Sequence, residues 1–319
     1  MSKSNSAPIL ITMGEPAGIG PEVAVAAYKA LDGHVGARPL RLVGDAGVFA
    51  ACGFDGEVIA TAQKAHRVPG KPAKSNAQAV IAAIEMAVTQ ARSGDAAAVV
   101  TAPINKAVLM AAGFPYPGHT EFLQALTGAP RAVMMLASDT LRVVPLTIHM
   151  PLAQVPHALT AKAVVETGEI VLAALARDFA VERPRLAVAG LNPHAGEDGE
   201  LGTEDSAVIA PAVAQLRKRG HDVRGPLSAD TLFHAEARAG YDAALCMYHD
   251  QALIPIKTLS FWDGVNVTLG LPIVRTSPDH GTAFDIAGTG RADARSMIAA
   301  IRMAVSMADA RLAAQAADR

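Results

Sequence analysis

Three histidines follow three apolar runs. His149 comes after Val144-Pro145-Leu146-Thr147, His194 after Leu186-Ala187-Val188-Ala189-Gly190-Leu191, and His249 after Ala243-Ala244-Leu245-Cys246-Met247-Tyr248. If those runs are strands, each imidazole sits just past a carboxyl end, the edge at which open α/β sheets bind ligands. Neutral imidazole is a common ligand of zinc and similar divalent ions, and three such ligands leave positions open for substrate. One histidine so placed is most simply a turn or core residue with a satisfied hydrogen bond. Three at one edge shift the balance toward a site. No short His-Glu-x-x-His motif is present, so the ligands would come from three distant segments. Elsewhere, His157 and His234 fall in expected helices, His221 precedes a strand, and His34 and His66 lie in polar connections.

Basic and polar residues punctuate the later part of the chain. Lys257 follows Leu253-Ile254-Pro255-Ile256, Asn266 follows Gly264-Val265, and Arg275 follows Leu271-Pro272-Ile273-Val274. Singly, the lysine could snorkel from apolar surface and the arginine could be an ion-pair partner. As a set they could grip a phosphate and a carboxylate, arginine being suited to bidentate contact. Asp230 and Asp250 are the carboxylates nearest these candidates in sequence. Asp250 adjoins His249 and could orient a ligand or take a proton, whereas Asp230 precedes Thr231 and could equally cap a helix. Pro117-Gly118-His119-Thr120-Glu121 joins a turn to a helix start, with Thr120 expected as the N-cap and Glu121 in the first turn. The cap does not account for His119, although a chance surface histidine would.

These side chains need a frame, and short apolar runs alternating with amphipathic stretches supply one. Strands are expected at 8–13, 40–43, 96–101, 132–136, 142–147, 185–191, 223–225, 243–248 and 265–269. The run 96–101 is continuously apolar and too short for a helix, which suits a strand buried on both faces. Helices are expected after Pro21, from Ser75 or Asn76 to Gly94 with Val80, Ile81, Ile84 and Val88 on one side, and at 164–179, 204–219 and 292–314. This alternation signals an α/β chain with a largely parallel sheet. Between the first strand and helix, Gly14-Glu15-Pro16-Ala17-Gly18-Ile19-Gly20 could bind an anion through free amides or be an ordinary turn. It is neither a Walker A loop nor a Gly-x-Gly-x-x-Gly fingerprint.

With 319 residues, a formal net charge of -2, 51% hydrophobic and 18% charged residues, the chain has ample material for a core. Its length suits two domains or one large α/β unit. The near-zero charge argues against nucleic-acid binding. Two cysteines, Cys52 and Cys246, cannot build a disulfide framework and fit a reducing cytoplasm. The apolar runs break well before a membrane span, and Met1-Ser2-Lys3-Ser4-Asn5-Ser6 is a polar tail with no apolar signal segment after it. A cytoplasmic protein that meets neither nucleic acid nor membrane is expected.

Several segments are distinctive as a set. They are Thr12-Met13-Gly14-Glu15-Pro16-Ala17-Gly18-Ile19-Gly20-Pro21-Glu22, Thr101-Ala102-Pro103-Ile104-Asn105-Lys106, Gly118-His119-Thr120-Glu121, Asn192-Pro193-His194-Ala195-Gly196-Glu197, Tyr248-His249-Asp250-Gln251 and Gly264-Val265-Asn266-Val267-Thr268-Leu269-Gly270-Leu271-Pro272. Over nearly its whole length the chain resembles the PdxA family of 4-hydroxythreonine-4-phosphate dehydrogenases of vitamin B6 biosynthesis. The stretch Asp279-His280-Gly281-Thr282-Ala283-Phe284-Asp285-Ile286-Ala287-Gly288-Thr289-Gly290 is similar to the nucleotide loop of isopropylmalate and isocitrate dehydrogenases.

The resemblance implies a two-domain α/β/α fold of the isocitrate/isopropylmalate dehydrogenase type, with mostly parallel sheets and an interdomain cleft. Residues 1–125 and 280–319 would form a terminal domain, and 126–279 a central domain with the metal ligands and dimer interface. It further implies that His149, His194 and His249 bind one divalent metal per site (Zn, Mg, Mn or Co), with His249 supplied by the partner subunit of a homodimer with shared active sites. His119, Thr120, Lys257, Asn266 and Arg275 would hold a small phosphorylated hydroxy-amino acid. Asp230, Asp250 and Lys257 would support catalysis, and His280, Gly281 and Asp285 would bind NAD, or NADP in its place. The reaction would oxidise 4-phosphooxy-L-threonine to a β-keto acid that loses CO2. The rival readings are a family relative acting on threonate or erythronate 4-phosphate or on an aromatic cis-dihydrodiol, and an acyltransferase of the phosphotransacetylase type.

Overall fold

The computed structural model describes residues 6–317, so the polar stretch at 1–5 lies outside the described residues. The strands, in chain order, are β1 (Ile9–Thr12), β2 (His34–Val35), β3 (Arg38–Gly44), β4 (Val58–Ala60), β5 (Ala98–Thr101), β6 (Val133–Ala137), β7 (Arg142–Pro145), β8 (Arg185–Ala189), β9 (Asp222–Leu227), β10 (Ala243–Cys246), β11 (Val265–Leu269) and β12 (Val274–Pro278). The chain divides into two compact units: Met1–Ala132 with Val265–Arg319, and Val133–Gly264. The return to the first unit thus falls at Val265, not near residue 280. The reason is pairing: β11 runs antiparallel to β12, and β12 runs parallel to β5. Asn266 and Arg275 therefore belong to the terminal unit.

In the terminal unit the strand order is β2-β3-β1-β5-β12-β11, with β4 also on β3. The pairs β1–β3, β1–β5, β3–β4 and β5–β12 are parallel. Every residue of β1 and of β5 is buried, without the alternation of a half-exposed strand. Helix Ala77–Ser93 buries Val80, Ile84 and Val88, four residues apart, and each such side chain removed from water contributes roughly 1.5–3 kcal/mol. Gly94, with φ of 87°, ends it as expected. Its start differs from expectation: Lys74–Asn76 makes a 3₁₀ turn, which leaves Asn76 in helical backbone where its side chain cannot cap. Instead Asn76 Oδ1 accepts from the His66 amide at 2.8 Å and Nδ2 donates to the His66 carbonyl at 2.9 Å.

The glycine loop after β1 resolves in favour of the turn. Gly14 has φ of +68°, and a Cβ there would stand 2.6 Å from the Pro103 carbonyl oxygen, so only glycine lets the two segments touch. The amides of Glu15, Ala17, Gly18 and Ile19 donate to Pro103 O, Glu15 Oε1, Glu15 O and Thr282 O respectively. The buried Glu15 carboxyl, its pKa pushed up by desolvation, occupies the position in which an anion would be sought. The loop is a joint that ties β1 to the segments after β5 and β12.

In the central unit the order is β6-β7-β10-β8-β9. The β6–β7 pair is an antiparallel hairpin through the turn at Ser138 and Asp139, and the other pairs are parallel. Leu136, Val143, Ala187, Ala244, Leu253 and Ile256 share one buried cluster. Leu253 and Ile256 come from helix His249–Leu259, which the sequence reading leaves without an element. Pro255 lies inside that helix and reads as a breaker, but apolar burial on the sheet outweighs the lost hydrogen bond. Helix Ala161–Asp178 begins with Thr160 Oγ1 accepting from the Ala163 amide at 3.1 Å. The expected helix 204–219 opens as a π turn, Asp205–Ile209, before Ala210–Lys218. Two local expectations also change: His34 lies in the short strand β2, and His234 is the N-cap of Ala235–Arg238 rather than within it. No helix among the described residues is long and apolar enough to cross a membrane.

Candidate active site

A cation lies buried in the terminal unit with no carboxylate bonded to it among the described residues. Arg275, on β12, is 3% exposed. Its Nε donates to Thr101 Oγ1 at 3.1 Å, Nη1 to Thr268 Oγ1 at 2.9 Å, and Nη2 to Thr101 Oγ1 and, at 3.3 Å, to His119 Nδ1. Each of these partners is neutral, and desolvation lowers the guanidinium pKa to about 9. The register explains the grouping. Asn266 lies opposite Ser277 in the β11–β12 pair, so Thr268 lies opposite Arg275, and Asn266 and Thr268 share one face of β11.

His119 completes this cluster. It opens helix His119–Thr127, whose N-cap is the extended Gly118. Thr120 is therefore inside the first turn and is not the cap, because the backbone is already helical at His119, directly after the extended Gly118. Arginine has no acceptor, so His119 Nδ1 must accept and Nε2 must carry the proton. That Nε2–H is closed from solvent and has no partner among the described residues. Burial first, then the Arg275 and Lys106 charges, hold the His119 pKa well below its ordinary value. A cation and an orphan N–H donor with no acceptor are the complement of an anionic oxygen.

The sign of the His119 contribution to stability follows. The folded protein keeps this imidazole neutral, whereas the unfolded chain protonates it below about pH 6.5. Its contribution is complete above that value and is lost as the pH falls below it. Urea unfolding at neutral pH and near pH 5.5 is expected to show a smaller acid destabilisation in His119→Asn than in the parent, and identical slopes would refute the assignment.

In the central unit the three histidines follow β7, β8 and β10. His149 has φ of 31°, and His194 begins a left-handed run with Ala195, Gly196, Glu197 and Asp198 at 53°, 86°, 42° and 55°. Non-glycine residues in this region cost roughly 1–2 kcal/mol each, so the segment must be held from outside. Asp205, buried at the start of the π turn, accepts from the Leu191 amide at 2.8 Å, the Asn192 amide at 3.1 Å and Asn192 Nδ2 at 3.0 Å. Left-handed backbone and a π turn are features that concentrate at functional sites.

The imidazoles of His149 and His249 stand together, ring centroids 6.1 Å apart and tilted by 36°. His249 Nδ1 donates to Asp250 Oδ1 at 2.7 Å, which leaves Nε2 as the free lone pair. A histidine backed by a carboxylate is the arrangement of a metal ligand, and the donor chemistry fits a divalent ion. His194 stands near Asp230 instead, and no three His, Cys, Asp or Glu side chains converge for a metal among the described residues. Within one chain the ring that stands beside His249 is that of His149. Asp230 lies in the 3₁₀ turn Ala229–Thr231, its carboxyl held below the usual range by the Ser228 hydroxyl and, further down, by His194. Asp250 and Lys257 fall seven residues apart on helix His249–Leu259, on one face two turns apart.

The loop after β12 is anchored in the terminal unit. Ile19 donates to Thr282 O at 2.9 Å, and Gly288 N donates to Glu22 Oε1 at 2.8 Å. Arg67 binds Glu22 and the Pro16 and Gly18 carbonyls. Within the loop, His280 Nδ1 donates to Gly281 O at 3.0 Å, and its Nε2, a lone pair closed from solvent, has no partner. Gly281 and Asp285 are exposed. An unmatched acceptor beside an open glycine fits a ligand that brings its own N–H donor.

The family model for "Pyridoxal phosphate biosynthetic protein PdxA" matches residues 30–304. The chain belongs to the PdxA family. The PdxA-family chain is 54% identical to the 4-hydroxythreonine-4-phosphate dehydrogenase of Roseobacter denitrificans, over 95% of this chain and 98% of that one. It is 50% identical to the protein of the same name from Xanthobacter autotrophicus, over 98% and 97%. A crystal structure of 4-hydroxythreonine-4-phosphate dehydrogenase from Klebsiella pneumoniae superimposes with a TM-score of 0.85 at 37% identity, covering 95% of this chain and 100% of that one. This places the PdxA-family chain in the expected isocitrate/isopropylmalate dehydrogenase-like α/β fold. It is a member of a dehydrogenase family, which implies a nicotinamide cofactor. Sequence reasoning missed Thr101 and Thr268 in this family site. Both stand at apolar strand positions, and only their shared contact with Arg275 marks them.

Proposed function

We propose that the chain is an NAD-dependent 4-hydroxythreonine-4-phosphate dehydrogenase that uses a divalent metal and works in pyridoxal 5'-phosphate formation. The observation that carries the reading is the buried Arg275, bonded among the described residues only to neutral groups, next to the N–H of His119 that none of them accepts. The substrate is 4-phosphooxy-L-threonine. Its C3 hydroxyl becomes a ketone, hydride passes to NAD+ and a proton is released; the β-keto acid then loses CO2 to leave 3-amino-2-oxopropyl phosphate.

Arg275, His119, Thr120, Asn266 and Lys257 bind and orient the substrate. The phosphate is remote from the reacting carbon, so its binding energy can go into orientation, and a dephosphorylated substrate loses kcat as well as affinity. His149, His194 and His249 hold the metal, which is Zn, Mg, Mn or Co, and Asp250 fixes the His249 tautomer. The ion supplies acidification of the bound alcohol and polarisation of the ketone formed from it. Asp230, Asp250 and Lys257 hold and move the proton. His280, Gly281 and Asp285 bind the adenosine end of NAD, or of NADP, with His280 Nε2 available to an amino group. The chain works as a homodimer of shared sites, in which His249 is supplied by the partner subunit to the His149 and His194 of the other. Exposed Leu152, Ile254, Phe261 and Trp262 on the central unit supply apolar surface for that contact. A cytoplasmic location goes with this metabolism.

The test is NADH production by the purified chain with three substrates: 4-phosphooxy-L-threonine, threonate or erythronate 4-phosphate, and an aromatic cis-dihydrodiol. Turnover of the first with the highest kcat/KM is expected. Preference for the sugar-acid phosphates moves the activity within the family. Turnover of the dihydrodiol alone would remove the need for an anion at Arg275, and NADH from none of them, with acyl transfer to phosphate, would favour the transacetylase reading.

A further inference from the structure

Gln251 follows the His249-Asp250 pair and takes no part in the chemistry above, yet its carboxamide is buried between the strand ends that lead to His194 and His249. Oε1 accepts from the Met247 amide at 2.7 Å, and Nε2 donates to the Gly190 carbonyl at 2.7 Å. Met247 lies two residues before His249, and Gly190 four residues before His194. From the other side, Thr147, two residues before His149, donates through Oγ1 to the Met247 carbonyl at 2.7 Å. Gln251 is 8% exposed, Thr147 7% and Met247 0%, so these bonds form away from competing water.

The strand order explains why a side chain is needed. β10 lies between β7 and β8. Toward β7 the backbone continues pairing past the strands, with Leu146 N donating to Cys246 O at 2.8 Å. Toward β8 it does not. The ladder stops at Leu245 and Val188, and β8 veers to β9, where Gly190 N donates to Leu227 O at 2.7 Å. The gap so opened is where the His194 loop departs. Gln251 spans it, taking one strand end by its N–H and the other by its C=O.

We infer that Gln251 is a positioning residue for the histidine ligands, its carboxamide fixing the strand ends from which the loops carrying His194 and His249 depart. The inference rests on the reading of those histidines as metal ligands. Outer groups that orient ligands typically change metal affinity by about 10–100-fold. Gln251→Met keeps the volume and loses both bonds, while Gln251→Glu keeps the acceptor for Met247 and loses the donor to Gly190.

The purified full-length chain is titrated with Co2+ alone, its visible absorption band reporting both affinity and coordination. Gln251→Met is expected to bind about 10–100-fold more weakly with a shifted band, and Gln251→Glu to fall in between. KM for the phosphorylated substrate at saturating metal stays unchanged. A merely structural glutamine would lower the melting temperature and leave the band and affinity of the folded protein as in the parent, and that result overturns the inference. If Gln251→Met does not fold, Thr147→Val removes the opposite grip on Met247 and is held to the same criterion. A parent protein that binds no Co2+, or a His194→Ala variant that binds it as tightly as the parent, overturns the metal reading and this inference together. Either is recognised before any Gln251 variant is compared.

Discussion

Arg275→Met lowers kcat/KM for 4-phosphooxy-L-threonine by about 30- to 4,000-fold, while the protein stays folded. The range comes from the roughly 2–5 kcal/mol lost when one member of a buried, hydrogen-bonded charge pair is removed, at about 1.4 kcal/mol per decade. The expectation of an intact fold comes from the same burial. Before substrate arrives the guanidinium is desolvated without a counter-charge, its partners among the described residues being Thr101, Thr268 and His119. Replacing a buried ionic group by an apolar one of similar length is often neutral or stabilising, and the orphaned hydroxyls oppose that gain. Arg275→Lys keeps the charge and loses the planar fork, so its activity should fall between the two. Steady-state kinetics with inorganic phosphate as competitor, alongside thermal melting, make the check. Activity within tenfold of the parent and unchanged phosphate inhibition in folded Arg275→Met would refute an anion site at this residue.

His194→Ala removes bound metal and NADH formation together, by at least about 10⁴-fold in rate. An alcohol with a pKa near ~16 facing a base of pKa ~7 meets a gap of ~9 units, or ~12 kcal/mol at 1.36 kcal/mol per unit. A bound divalent ion can bring the pKa of water to about 7, and an alcohol responds similarly. Losing the ion therefore restores most of that barrier, and only the positioning residues remain to offset it. The backbone should tolerate the change, since the neighbouring Ala195 already adopts the same left-handed conformation at φ of 53°. Elemental analysis of the purified variant, set beside the parent after chelation and metal replacement, gives the measurement. Full activity of the parent after complete chelation would end the metal role whatever the variant does.

Much of the frame is readable along the chain because it depends on local periodicity. The apolar runs at β1, β5, β8 and β10 are buried on both faces, and such strands announce themselves without alternation. Strand β12 was invisible for the opposite reason: Val-Arg-Thr-Ser-Pro is polar, yet all five residues are buried, the arginine and threonine sealed by partners far away in sequence. Helix His249–Leu259 was hidden by Pro255. Thr120 misled because a threonine before a glutamate reads as a cap, when the helix had already begun after the extended Gly118.

By itself the sequence determined the α/β class, the strand ends that carry His149, His194 and His249, and membership of a dehydrogenase family, because periodicity and short motifs are properties of neighbouring residues. Only the tertiary structure decided which groups meet. Thr101 and Arg275 are separated by 174 positions, and Gly190 and Gln251 by 61. It also decided that the amides of Glu15, Ala17, Gly18 and Ile19 in the glycine loop are already bonded, two of them to Pro103 and Thr282, that His119 is neutral with one unmatched N–H, and that His249 sits beside His149 while His194 does not. Burial and hydrogen-bond saturation are non-local quantities, set by which strands adjoin, and no pattern along one segment encodes them.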